Sequence, residues 1–318
     1  MSERTCGRRT VLKRAGTAIA AATVPAGTAA AGSGSGEGWT AVGTPTGNTL
    51  FDVERTAAGA YAVAAGGIVL ERGAEGYRTV LEGGPTGNGN SLYGADVTDD
   101  GERLWFVGAS GAIGEYDVTT GSLTDHSAPD DVTNNLNDVA VAGEAGAATV
   151  YVAGDSGAIY ASFDNGATFD ATTPGSGSNV NAIDVHGPRS GHAVDGNKTV
   201  FATDDGTTWE RLGVENANDN FYGVDSDAGD VTVSGGGGTV YGWDGSGWTR
   251  EDTGDAGLRD VEAAGDAALT VGGGGAVFRR EGGRWRQEQT PVGDTLNAVM
   301  RGDPEVAVGA GGTVIERR

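Results

Sequence analysis

The sequence predicts an all-β fold, a seven-bladed β-propeller of four-stranded antiparallel blades, on three observations. A large apolar residue that opens a short alternating run recurs seven times. A glycine-rich turn between two apolar strands recurs in step with it, and an aromatic residue opens the fourth strand of most copies. A repeat of about 41 residues that holds four short strands is typical of a propeller blade.

The first strand of each repeat alternates between apolar and polar residues. Residues 136–141, LNDVAV, show the pattern of a strand with one buried face. Because this pattern occurs in seven copies, we expect seven blades. The residues that open them are Leu50, Leu92, Leu136, Val180, Phe221, Leu258 and Leu296.

A tight turn and an aromatic residue mark the rest of each repeat. In the third copy, residues 154–157 (GDSG) form the turn between two apolar strands, where glycine adopts positive φ at little cost. The aromatic residue of the fourth strand can pack against a neighbouring sheet. These aromatic residues are Tyr77, Phe169, Trp209, Trp248 and Trp285.

The last repeat ends at Arg318 after only three strands. Residues 39–42, WTAV, form a strand pattern with no partner beside it in sequence. We therefore expect this strand to complete the seventh blade as its outermost strand. That closure would leave the ring without an open edge and make it one cooperative domain over residues 39–318.

The N-terminal residues carry a targeting pattern. RRTVLK at residues 8–13 resembles the twin-arginine export motif, and a short alanine-rich stretch and a small-residue cleavage site follow. We expect a signal peptide over residues 1–31, a Gly/Ser linker over residues 32–38, and no membrane span after signal removal. The protein would then be exported, and extracellular or associated with the cell envelope.

Acidic residues dominate the composition. The chain has 44 Asp and Glu against 21 Lys and Arg, a net charge of −23, and Lys198 is the only lysine after Lys13. Such a surface argues against nucleic acid or anionic lipid as a partner. The acidity is spread along the chain, so we interpret it as adaptation to high salt rather than as a face for basic ligands. Cys6, the single cysteine, lies in the predicted signal peptide, so no cysteine chemistry is expected.

Two segments fit the Asp-box pattern S-x-D-x-G-x-T-aromatic, in which side-chain oxygens accept hydrogen bonds from the backbone of their own turn. We interpret both as structural reinforcement. The first box uses Ser162, Asp164, Gly166, Thr168 and Phe169, and the second uses Asp204, Gly206, Thr208 and Trp209.

These repeats resemble the BNR, WD-like and YVTN-like propellers. Within that group they look most like the photosystem II stability/assembly factor family, through L-x-x-V at Leu136 and Val139 and the A-V-G-x-x-G-x-I-like segments 152–159 and 308–314. The resemblance covers about residues 39–318 and implies a non-enzymatic assembly factor with an arginine-lined surface. Basic residues cluster only at Arg279, Arg280, Arg284 and Arg286, so the photosystem role is not expected here.

One set of positions varies between copies. The second residue of each first strand should lie where the loops converge on one end of the central channel, and loops on a rigid scaffold commonly carry binding. These candidate channel-mouth residues are Phe51, Tyr93, Asn137, Asn181, Tyr222, Arg259 and Asn297. The alternative is that the neighbouring Asn and Asp residues merely form the turns between blades.

No catalytic residue, cofactor site or metal site is predicted. His186 and His192 flank a turn without a third ligand at suitable spacing, and we interpret them as loop histidines. The sequence favours an exported, monomeric, non-enzymatic scaffold that binds a protein or an envelope component. One alternative is a glycan-active hydrolase or lyase on a sialidase-like propeller, although the sialidase F-R-I-P segment is absent from the sequence. A second is a structural surface protein without a small ligand.

Overall fold

A computed structural model describes residues 38–175 and 177–318. These residues form seven four-stranded antiparallel sheets and almost no helix. The predicted seven-bladed propeller is therefore confirmed. The predicted signal peptide lies outside the described residues. Within those residues, no helix is long and apolar enough to cross a membrane.

Each of the first six blades is built from four strands that are consecutive in the chain. The strands are β2 (Leu50–Thr56), β3 (Gly59–Ala64), β4 (Ile68–Gly73) and β5 (Gly76–Leu81) in blade 1; β6 (Leu92–Val97), β7 (Arg103–Gly108), β8 (Ile113–Asp117) and β9 (Leu123–Asp125) in blade 2; β10 (Leu136–Ala142), β11 (Thr149–Gly154), β12 (Ile159–Ser162) and β13 (Asp170–Thr172) in blade 3; β14 (Val180–Gly187), β15 (Ser190–Asp195), β16 (Val200–Thr203) and β17 (Glu210–Leu212) in blade 4; β18 (Phe221–Asp227), β19 (Asp230–Gly235), β20 (Thr239–Trp243) and β21 (Trp248–Asp252) in blade 5; and β22 (Leu258–Ala264), β23 (Ala267–Gly272), β24 (Val277–Glu281) and β25 (Arg284–Glu288) in blade 6.

The seventh blade joins the two ends of the described chain. Its strands are β26 (Leu296–Met300), β27 (Glu305–Gly309), β28 (Val314–Arg317) and, outermost, β1 (Thr40–Val42). Strand β1 pairs antiparallel with β28, and Ala41 lies opposite Ile315. The predicted closure of the ring by the N-terminal strand is confirmed.

Short 3-10 turns follow the second strand in four blades, where the glycine-rich pattern predicted turns. In blade 2 the turn needs glycine at its end, because Gly111 has a φ of 70° and a Cβ there would lie 2.2 Å from the carbonyl oxygen of Val132. The 3-10 turns of this type are Ala109–Gly111, Asp155–Gly157, Gly273–Gly275 and Ala310–Gly312, and a further 3-10 turn spans Pro129–Asp131.

The hydrophobic core lies between neighbouring blades rather than inside any one of them. Tyr151 of blade 3 shares a buried cluster with Phe201 and Trp209 of blade 4. Trp39, next to β1, packs with Leu269 of blade 6 and Leu296 of blade 7. Each blade therefore depends on its neighbours to bury its faces.

Candidate functional site at the channel mouth

One pocket lies where the seven innermost strands begin, and the structure brings all seven candidate residues together in its lining. The pocket has a volume of about 110 Å³. Each candidate is the second residue of its innermost strand: Phe51, Tyr93, Asn137, Asn181, Tyr222, Arg259 and Asn297. That these residues bind a ligand stays a prediction.

A β-bulge sets each of these side chains at the mouth. In blade 3, Leu136 pairs with Gly154 and Asp138 pairs with Ala153, so the residue between them is skipped. The same register shift occurs at the start of the innermost strand in all seven blades. A bulge inserts one unpaired residue and changes the direction of its side chain. The mouth is therefore lined by the unpaired residues of seven bulges, a feature that the sequence repeat did not reveal.

The three asparagines of the ring also connect blades. Nδ2 of Asn137 donates to the carbonyl oxygen of Val180 in the next blade at 2.9 Å. Asn181 and Asn297 make the equivalent bonds to Phe221 and Leu50, at 2.7 and 2.8 Å. Each amide thus uses one of its two N–H donors on the neighbouring blade. This supports a structural role for the asparagines alongside any role in binding.

Aromatic contacts join two further pairs of blades at the mouth. The rings of Phe51 and Tyr93 meet edge to face, with their centroids 5.1 Å apart. The guanidinium carbon of Arg259 lies 4.9 Å from the centroid of the Tyr222 ring, within the range of a cation–π interaction. Arg259 is exposed, so its charged group remains accessible from the mouth.

Three carboxylates lie one residue beyond the bulges, and none of them belongs to the predicted set of mouth residues. They belong to Asp52, Asp138 and Asp260, and all three line the pocket. Each accepts the backbone N–H of the next residue and a backbone N–H of the following blade. Asp138, for example, accepts from Ile183 at 2.9 Å.

The same carboxylate bridge occurs two residues deeper in the channel wall. Asp96 accepts from Val141, and Asp184 accepts from Ser226. A sequence signal for these bridges existed, because six of the seven innermost strands carry an acidic residue at their third or fifth position. These acidic residues therefore also connect neighbouring blades.

The two histidines lie in strands, so the interpretation as loop residues is wrong. His186 is in β14 and His192 is in β15, because the turn between them is only two residues long. Their rings stack with centroids 5.9 Å apart, and both Nδ1 atoms bond to the hydroxyl of Ser226, at 3.0 and 2.7 Å. Within the described part of the chain, no group of three His, Cys, Asp or Glu residues is arranged to hold a metal ion.

A buried carboxyl group and a half-buried imidazole beside Ser226 have shifted pKa values. Burial, with Asp184 and Asp230 nearby, raises the pKa of Asp227 to about 6. Among the described residues, Oδ1 of Asp227 has no hydrogen-bond partner. Burial, with His186 beside it, lowers the pKa of His192 to about 4.

Replacing Asp227 by Asn should stabilise the protein at neutral pH, by about 1–2 kcal/mol, because the carboxylate is held in a site that disfavours its charge. A raised carboxyl pKa gives stability that is complete below the unfolded value of about 4 and is lost as the pH rises through about 6. The gain in unfolding free energy from Asp227→Asn should therefore shrink between about pH 7.5 and about pH 4.5. Urea denaturation at both pH values measures it.

The wild-type protein and Asp227→Asn both keep His192. Its lowered pKa makes stability fall, rather than rise, as the pH decreases, but this contribution is the same in both proteins and cancels in the difference between them. Asp266→Asn, at an exposed turn, is the matched control and should show no such change with pH. A gain that is equal at both pH values would contradict the argument.

The first Asp box forms the hydrogen bonds expected of it. Asp164 accepts from the backbone N–H of Thr168 at 2.9 Å, and Gly166 N–H donates to the hydroxyl of Ser162 at 2.8 Å. Hydrogen bonds from Thr168 and Ser162 lower the pKa of Asp164. Phe169 is buried.

In the second Asp box the assignment of Asp204 is wrong. Asp205, rather than Asp204, accepts the backbone N–H groups of Thr207 and Thr208, at 2.7 and 2.6 Å. The hydroxyl of Thr203 binds the Gly206 N–H, as Ser162 binds Gly166 in the first box. The second turn is one residue shorter between its Asp and its Gly, so alignment from the aromatic residue shifted the Asp by one position. Gly206 and the buried Trp209 fit the turn as predicted.

Two of the four arginines in the cluster form ion pairs on the outer hairpin of blade 6. Arg279 bridges Glu288 and Glu305, at 2.6 and 2.5 Å, and so links blades 6 and 7. Arg280 pairs with Glu251 of blade 5 at 3.2 Å. Arg284 and Arg286 are exposed on the outermost strand of blade 6. This strand lies at the opposite edge of the sheet from the innermost strand, which contributes to the mouth.

Comparison with solved structures identifies the architecture. No protein-family model matches the chain, and no curated protein matches it in sequence. YCF48 from Cyanidioschyzon merolae superposes with a TM-score of 0.69 at 17% identity, covering 88% of this chain and 98% of that one. A structure of YCF48 bound to D1 peptide gives 0.69 at 15% identity, covering 88% and 94%. The WD40 propeller domain of Doa1 gives 0.72 at 13% identity, covering 88% and 95%. The chain shares the propeller fold with all three.

Proposed function

We propose that the protein is an exported, non-enzymatic scaffold that binds a protein partner across the channel mouth. The observation that carries this proposal is the ring of seven bulges, which places chemically different side chains around one pocket on an otherwise repetitive frame. A rigid scaffold that presents variable groups at one mouth is suited to specific binding.

Structural neighbours support the same function. YCF48 has been solved with a bound D1 peptide, so a propeller of similar architecture accommodates a peptide ligand. Export rests on the twin-arginine pattern at residues 8–13 and on the acidic composition, which suits a salt-rich exterior.

Site-specific photo-crosslinking in the native cell tests the proposal. A benzoylphenylalanine in place of Tyr222 at the mouth should yield a protein adduct in the envelope or external fraction. The matched control places the same probe at Ala228, an exposed turn at the opposite end of β18, and should not yield that adduct. Identical adducts from the two positions, none from Tyr222, or a protein confined to the cell interior would each count against the corresponding part of the proposal.

A further inference from the structure

The asparagine side chains of the mouth pocket offer a ligand more hydrogen-bond acceptors than donors. In each of Asn137, Asn181 and Asn297, one N–H of Nδ2 donates to a backbone carbonyl group of the neighbouring blade, and in Asn137 the second donates to Asp155. Their Oδ1 atoms, in contrast, accept no hydrogen bond among the described residues. Because an amide oxygen is only an acceptor, each of the three side chains offers a ligand an acceptor, whereas only Asn181 and Asn297 keep one further N–H each.

Negative charge exceeds positive charge in the lining of the pocket. Three carboxylates line it, from Asp52, Asp138 and Asp260, against the single guanidinium of Arg259. The carboxylates accept backbone N–H groups, but those bonds leave their formal negative charge in place. A concave site lined by an excess of one charge attracts ligands of the opposite charge.

The pocket also offers aromatic surface of the kind that a cation contacts. The Arg259 guanidinium already lies over Tyr222 on one side of the mouth. Phe51 and Tyr93 form a second aromatic pair in blades 1 and 2, beside Asp52, and no arginine or lysine lines that side of the pocket. A guanidinium can combine contact with an aromatic ring and hydrogen bonds to planar acceptors.

We infer that the mouth recognises a basic segment of its partner, with an arginine side chain entering beside Phe51 and Tyr93 and donating to the Asn and Asp oxygens. This inference rests on the proposed function and specifies the chemistry of the partner. In this arrangement Arg259 limits affinity, because its charge repels an incoming cation.

Peptide titration of the full chain, followed by NMR chemical shifts, tests the inference. The probe is a short Gly/Ser peptide with one central arginine. Matched peptides carry citrulline, which keeps the shape of arginine but loses its charge, or glutamate. We expect saturable binding of the arginine peptide that perturbs mouth residues, roughly tenfold weaker binding of the citrulline peptide, and no binding of the glutamate peptide.

Arg259→Gln gives a second readout whose sign separates cation from anion recognition. If the mouth takes a cation, this variant should bind the arginine peptide roughly three- to tenfold more tightly. Arg284→Gln removes the same charge from an exposed position on the outermost strand of blade 6 and should change affinity little. Equal binding of the arginine and citrulline peptides, no saturable arginine binding, or glutamate binding that Arg259→Gln abolishes would overturn the inference. A protein adduct at Tyr222 despite such a result would leave the scaffold function standing, so the two failures are distinguishable.

Discussion

Deletion of residues 38–43 is expected to lower the melting temperature of the protein by about 10 °C or more. The deletion removes β1 and its pairing with β28, and it exposes the face of the seventh blade that Trp39 covers. Loss of a buried Trp side chain alone costs about 3–5 kcal/mol, a large fraction of the stability of an ordinary domain. It also removes the bond from Nε1 of Trp39 to Glu288, 2.6 Å long, at the junction of blades 6 and 7.

Differential scanning calorimetry of matched deletions measures this effect. A deletion of equal length in the predicted linker, residues 32–37, is the control and should leave the melting temperature unchanged. Trp39→Ala should reproduce a substantial part of the loss, because Trp39 is 6% exposed and packs against both blades. A protein that melts normally without residues 38–43 would show that the ring does not depend on its N-terminal strand.

The fold was predictable from the repeat because every blade has to meet the same packing requirement. Each blade needs a buried apolar residue at the start of its innermost strand, and all seven predicted residues open a strand in the structure. Closure was predictable for a related reason. A last repeat with three strands leaves an edge open, and the unpaired WTAV segment was the available strand.

The chemistry of the mouth was predictable only in part, because it depends on register rather than on repetition. The bulge at the second residue changes the direction of that side chain, yet alternation in sequence does not show where pairing skips a residue. Bridging carboxylates such as Asp138 were hidden among the many acidic residues of the chain. The error at Asp204 has the same origin, since a turn shorter by one residue moves the bonded carboxylate to Asp205.

Replacement of Asp96 by Ala is expected to lower the free energy of unfolding by about 3–5 kcal/mol, because it leaves two buried backbone donors without their charged acceptor. Asp96 is 6% exposed, and its two oxygens accept the N–H of Val97 at 2.7 Å and that of Val141 in the next blade at 2.6 Å. Asp96→Asn keeps one acceptor oxygen and turns an NH₂ group toward the other donor, so it should lose less than Asp96→Ala.

The burial of the carboxylate, rather than the number of hydrogen bonds it accepts, determines this loss of stability. Asp244 also accepts two backbone N–H groups, from Ser246 and Gly247, but it lies in an exposed turn where water replaces a lost acceptor. Urea denaturation of Asp96→Ala and Asp244→Ala under the same conditions should therefore show a large shift in midpoint for the first and a small one for the second. Equal shifts would mean that the bridges between innermost strands do not hold the ring together, and that the acidic residues of the channel wall serve mainly the charge of the protein.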